Sequence, residues 1–199
     1  MNEPIILASG SAIRREMLSR AGLNFDVEPG RVDEDAVKAA LLAEEAKPRD
    51  IADALAELKA RKISEKRPGR LVIGCDQVLD FQGQLLSKPK NPDDAMEQLT
   101  SMSGNRHMLL SAAVICEDGK PIWRHVGTVR LHMRTLSQDF IADYVSRNWD
   151  EIRHTVGCYQ LEAEGVRLFT RIEGDHFNVL GLPLLELLSY LTLRGTLQS

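Results

Sequence analysis

An α/β domain built on a mixed sheet is the fold class this sequence predicts, and three observations carry it. Short apolar runs of strand length recur between segments of helical periodicity. Some runs are joined through helix-length crossovers, which parallel strands need, and others through tight turns, which only antiparallel strands allow. No internal repeat or flexible linker interrupts the chain. Its 199 residues are therefore expected to form a single domain, residues 1–199, with room for two lobes around a cleft.

The elements follow in order. IILAS, residues 5–9, is an apolar run closed by Ser-Gly-Ser, and Ala12 to Ala21 carries helix formers until Gly22 stops them. NFDVEPG, residues 24–30, alternates and ends at Pro-Gly, which predicts a short strand followed by an acidic loop holding Asp33, Glu34 and Asp35. From Arg49 to Lys66 the pattern is helical, with Ile51, Leu55, Leu58 and Ile63 as its apolar stripe and Lys59 beside it. LVIGCDQVL, residues 71–79, reads as a buried strand that presents Asp76 and Gln77. A hairpin around Gln82-Gly83, an SKPKNP loop and a helix capped near Asn91 with Pro92 in its first turn come next. Residues 107–116 and 126–135 form the pattern of paired strands across a Glu-Asp-Gly-Lys turn. SQDFIADYVSRN is a capped helix, VRLFTRIEG a strand, and GLPLLELLSYLTLRG a closing amphipathic helix.

Composition excludes several classes. With 43% hydrophobic and 27% charged residues the chain is ordinary for a globular protein, neither disordered nor a disulfide scaffold. A net charge of −4 argues against a nucleic-acid binder, since phosphate backbones are held by clustered Lys and Arg. Cys75, Cys116 and Cys158 are odd in number and far apart, so reduced, buried thiols are expected rather than a zinc site. No run approaches the roughly 18 apolar residues of a membrane span, and the opening MNEPIILASGS has no signal-peptide pattern. No membrane association and a cytoplasmic location are the expectations. The five histidines show no ligand spacing, and neither a GxGxxG nor a GxxxxGK[ST] loop is present.

The chemistry-bearing residues are few. Ser9-Gly10-Ser11 lies between a strand and a helix, with Arg14 and Arg15 just beyond. Backbone N–H groups, two hydroxyls and two guanidiniums there have the layout of a phosphate site, although an ordinary helix cap followed by exposed arginines has the same local pattern. Lys88 sits before Pro89 on a stiff loop, and Lys59 lies on a helix; read singly, each fits a solvated lysine. Asp76 stands out, because an ionised carboxylate in an apolar strand is costly without a partner. Glu34 and Asp76 are the carboxylates suited to a magnesium ion shared with substrate phosphates; a satisfied Asp at a strand end is the plainer reading of Asp76.

Together these segments resemble the Maf family of nucleoside triphosphate pyrophosphatases. LASGSAIRREML, VDE at 32–34, Lys59-Ala60, IGCDQVL, SKP, LTSMSGNRH and GDHFNVLGLPL occur in order over nearly the whole chain. The resemblance implies a strongly curved mixed sheet with flanking helices and a central cleft, as in inosine triphosphate pyrophosphatases. It also implies hydrolysis of a nucleoside triphosphate to the monophosphate and pyrophosphate, a divalent cation (Mg or Mn), and a homodimer that no sequence feature here demands. Asp76 matches the family's catalytic proton acceptor, and Ser9, Arg14, Glu34, Lys59 and Lys88 match its polar set.

Two departures bear on substrate. Ile13 replaces the first of two family arginines, and Asp76-Gln77 replaces the common Asp-Thr. Glu162 also stands where members acting on dTTP and UTP have Gln. This combination resembles the branch that hydrolyses 7-methyl-GTP, a house-cleaning reaction on the nucleotide pool. Chemistry points the same way. A Gln amide both donates and accepts, as uracil and thymine require, whereas a carboxylate only accepts and suits the N1–H and N2–H₂ donors of guanine. A 7-methylated guanine adds positive charge, and Ile13 removes a competing cation. Strong discrimination of this kind requires Glu162 to be enclosed. The competing readings are a dTTP or UTP pyrophosphatase, an inosine triphosphate pyrophosphatase, and a non-catalytic nucleotide-binding regulator of cell division.

Overall fold

The computed structural model describes residues 4–198; Met1 to Glu3, at the head of the opening segment, and Ser199 lie outside the described residues. Seven strands form one mixed sheet, β1 (Ile5–Leu7), β2 (Phe25–Val27), β3 (Val72–Phe81), β4 (Gln84–Leu86), β5 (Arg106–Glu117), β6 (Lys120–Met133) and β7 (Phe169–Glu173). Their order is β2-β1-β3-β5-β6-β7, with β4 paired to β3. The α-helices are α1 (Ala12–Arg20), α2 (Glu34–Ala43), α3 (Pro48–Ser64), α4 (Pro92–Met102), α5 (Gln138–Ile152), α6 (His176–Val179) and α7 (Leu184–Leu193). The predicted mixed α/β class is what the chain adopts.

The chain divides into two compact units, one made of residues up to Gln77, Leu110–Gly127 and Asp175 onward, the other of Val78–Leu109 and Thr128–Gly174. In the first, β1 runs parallel to both β2 and β3. Parallel strands need crossovers, and α1 and α3 supply helix for them. One core lies where Ile5 and Leu7 of β1, Ile73 and Cys75 of β3, and Ala113 and Ile115 of β5 meet Met17 and Leu18 of α1 and Leu184, Leu187 and Leu191 of α7. Side chains alternate along a strand, so Gly74 and Asp76 point to the opposite face, where α3 packs. A Cβ on Gly74 would stand 2.1 Å from the Ala56 carbonyl oxygen. Only glycine allows α3 that close to β3.

In the second unit β3 turns into β4 at Gln82-Gly83, both with positive φ (55° and 84°), the backbone that a tight hairpin favours. β6 and β7 pair antiparallel, and α4 packs against α5. The Asn91 side chain accepts from the Asp94 N–H at 2.8 Å, the expected cap.

Three expectations are corrected. The acidic segment 33–35 is the start of α2, not a loop: Asp33 caps it by accepting the Ala36 N–H at 3.0 Å, and two acids in the first turn suit the helix dipole. No residue of α2 is fully buried, so it has little apolar face for periodicity to reveal. Leu58 is 36% exposed, and the inward stripe of α3 is Ile51, Leu55, Lys59, Ile63, a strict i, i+4 series. Residues Glu164–Leu168 form a 3-10 turn before β7 begins, so Val166 to Leu168 of the expected strand are not part of it.

Candidate active site

The first unit holds eight of the sequence-selected polar residues, and all but Arg15 make side-chain contacts within it. Ser9 lies just past the carboxyl end of β1, and Ser11 caps α1 by accepting the Arg14 N–H at 3.4 Å. The Ser9 hydroxyl accepts the Ser11 N–H at 3.3 Å and an Arg14 Nη1–H at 3.4 Å. Arg14 also donates from Nε to the Gly181 carbonyl at 2.8 Å and from Nη1 to the Cys75 carbonyl at 3.1 Å. Arg15 points outward and is exposed, whereas Ile13 is half-buried.

Beside this group, Asp76 is 5% and Lys59 9% exposed. The Lys59 ammonium donates to Asp76 Oδ1 at 2.7 Å and to Glu34 Oε1 at 2.6 Å. This is the partner that a carboxylate in an apolar strand requires. Gly30 and Gly74 make the contact reachable, since a Cβ on Gly30 would stand 2.4 Å from the Lys59 carbonyl oxygen. Asp76 Oδ2 is buried and has no hydrogen-bond partner. Burial raises the Asp76 carboxyl above its usual range, while Lys59 and then Arg14 pull it back and Glu34 adds to the rise. Burial likewise pushes the Cys75 thiol up to about 11, so it is no nucleophile. All three cysteines are free and buried, as expected.

Sequence reading assigned no role to Ser111, Asn178 or Gly181, though the last two lie in the GDHFNVLGLPL segment. Gln77 Nε2 lies 3.0 Å from each of three acceptors, Ser111 Oγ and the carbonyls of Asn178 and Val179. Ser111 Oγ donates to the Asn178 carbonyl at 2.6 Å.

Lys88 and Glu162 belong to the second unit. Lys88 is exposed at a cavity of about 610 Å³ that Ser87, Lys90, Asn91 and Asp94 also line. Glu162 is exposed as well, which corrects the expectation of an enclosed base-reading carboxylate. Glu164, two residues on, is the engaged one: it accepts from Arg147 and Arg167, each at 2.7 Å, and from Asn148 at 2.9 Å.

For a divalent cation the donor set fits in a limited way. Among the described residues no three His, Cys, Asp or Glu side chains cluster as a metal site. Two hard carboxylates, one with an oxygen left open, do suit magnesium, which commonly takes one or two carboxylates and completes its shell with phosphates and water.

A buried carboxylate, a lysine bridging it to a second acid, and a serine-capped strand-turn-helix segment make up this site of a mixed α/β protein. The chain belongs to the Maf-like protein family, whose model matches residues 4–193. It is 66% identical over 199 residues, all of both chains, to a "Nucleoside triphosphate pyrophosphatase" of Ruegeria pomeroyi. A relative of the same name from Roseobacter denitrificans is 66% identical over 197 residues, 99% of each chain. A "7-methyl-GTP pyrophosphatase" of Mesorhizobium japonicum is 46% identical over 197 residues, again 99% of each. No described helix is long and apolar enough to cross a membrane.

Proposed function

We propose that this protein is a nucleoside triphosphate pyrophosphatase, cleaving its substrate with water to a nucleoside monophosphate and pyrophosphate. One observation carries the chemistry: a buried Asp76 with one oxygen tied to Lys59 and the other without a partner. The tied oxygen fixes the carboxylate's direction, and the open one is free to take a proton from attacking water. Lys59 keeps a third N–H beyond its two carboxylate bonds, and with Ser9, Ser11 and Arg14 it supplies positive charge and donors toward phosphate oxygens. Arg15 and Lys88 are exposed cations for the same purpose, on the resemblance alone. Glu34 and Asp76 would hold a divalent ion, which when bound neutralises phosphate charge. Free buried thiols suit the cytoplasm.

7-methyl-GTP is the proposed preferred substrate. The name of the Mesorhizobium relative supports it. The exposure of Glu162 favours a second reading, in which several bases are accepted, because a solvated carboxylate discriminates less than an enclosed one.

Pyrophosphate release from 7-methyl-GTP, GTP, UTP, dTTP, CTP and ITP, with magnesium or manganese, tests both levels. Preference for 7-methyl-GTP that Glu162→Gln abolishes supports the base assignment, and similar rates on all six select the broad reading. Absence of release from any nucleotide overturns the enzyme and returns the chain to a binding role.

A further inference from the structure

Asp76 lies between two clamps that grip the same turn. On one side, Arg14 donates to the carbonyl of Cys75, the residue before Asp76, and to the carbonyl of Gly181. On the other, Gln77, the residue after Asp76, reaches the carbonyls of Asn178 and Val179. Ser111 on β5 joins the second clamp through both Gln77 and the Asn178 carbonyl. Two of the three partners of the Gln77 amide are carbonyl oxygens, which cannot donate, so its nitrogen must face the turn. A threonine at position 77 has neither the length nor the NH₂ group to hold both carbonyls.

The turn is itself immobilised. Asn178 is buried, its N–H and its side-chain amide both donate to the Asp175 carboxylate (3.1 and 3.2 Å), and a Cβ on Gly127 would come within 1.9 Å of its Oδ1. Strand β3 is thus tied to a rigid point immediately before and immediately after the carboxylate.

We propose that Gln77 is a positioning residue for Asp76, acting through the Asn178–Gly181 turn. The inference rests on the proposed catalytic role of Asp76. It accounts for the Asp-Gln pair as a mechanical couple: the longer amide holds the aim of the neighbouring carboxylate, and aim governs turnover because small displacements of a catalytic group are costly.

The experiment compares the wild-type protein with Gln77→Thr, Gln77→Glu and Asp76→Asn, measuring kcat and KM on 7-methyl-GTP, GTP and UTP and the thermal midpoint of each. Gln77→Thr is expected to lower kcat about tenfold to a hundredfold on every substrate, with KM and the ranking of bases unchanged. Gln77→Glu keeps the length but cannot donate, so it is expected to match or exceed that loss. Either variant changing the ranking of bases while holding kcat overturns the proposal, as does Gln77→Glu retaining wild-type turnover. A kcat loss that merely follows the unfolded fraction at the assay temperature also overturns it. Failure of the underlying reading looks different: Asp76→Asn then turns over normally, whatever Gln77 variants do.

Discussion

Each of the two units buries a polar pair in its interior, and the two pairs are built by opposite means. In the first, Asp76 and Lys59 are charged and bonded to each other, Lys59 also reaching Glu34, and one carboxylate oxygen stays open. In the second, His107 is 1% exposed and meets the Tyr159 hydroxyl at 2.8 Å, with Phe169 against both rings. Burial, then the charge of His132, lowers the His107 pKa to about 4, and burial raises the Tyr159 phenol well above its usual range. Both are neutral near pH 7. Tyr144, also buried, donates to the Cys158 carbonyl at 3.2 Å. A neutral pair fixes shape at low desolvation cost, whereas a charged pair is tolerated where a charge is needed. The contrast separates the charged pair proposed to react from a neutral pair that holds position.

The largest expected effect breaks the charged pair at Asp76, the proposed base. Asp76→Asn should lower kcat at least about a hundredfold while nucleotide binding, followed by calorimetry, persists; near-normal turnover would leave the first unit without a catalytic base. Next comes the supporting charge. Lys59→Met strands Asp76 in a buried site, and urea unfolding at pH 7 should show a loss of about 3–5 kcal/mol. Adding Asp76→Asn to Lys59→Met should restore much of that loss, since no unpaired charge then remains.

Acid sharpens the comparison, because the two regions respond with opposite sign. His107 has a folded pKa of about 4 against an ordinary 6.5, so between those values the unfolded chain binds more protons and stability falls as pH drops. The full contribution is about 3 kcal/mol. Asp76 has its folded pKa raised above 3.8, so the native state binds its proton more readily and this group favours folding as the medium turns acid. Urea midpoints at pH 7 and pH 4.5 should therefore converge in His107→Phe relative to wild type; an unchanged difference would remove His107 from the acid response.

The smallest effect is expected at exposed charge. Arg124 pairs with Asp53 and Glu57, but its side chain is 45% exposed, so Arg124→Ala should cost less than about 1 kcal/mol. A larger drop in thermal midpoint would mean that charge stabilises this protein at its surface as well as in its interior.

Much of the fold was legible because local patterns are local physics. Alternation and apolar runs marked the strands, Asn91-Pro92 and Gly22 marked helix ends, and Gln82-Gly83 marked the hairpin. Helix α2 escaped because its stability comes from a cap and good helix formers rather than from a buried stripe. The polar set was legible as residue types in order, yet not as contacts. The sequence reading put Leu58 in the stripe of α3 and Lys59 beside it; the structure puts Lys59 inside, and what hid it was the habit of lysines to reach water.

By itself, the sequence determined the mixed α/β class, the absence of a zinc or P-loop pattern, and the small set of residues proposed to handle phosphate. These follow from periodicity and from side-chain chemistry, which are properties of neighbours along the chain. Only the tertiary structure decided that Lys59 is the partner of Asp76, that Arg14 and Gln77 hold the Asn178–Gly181 turn, and that Glu162 stands exposed. Those contacts join residues far apart in sequence. The Lys59–Asp76 pair is within reach because glycines at 30 and 74 let α3 approach to distances that a Cβ would forbid.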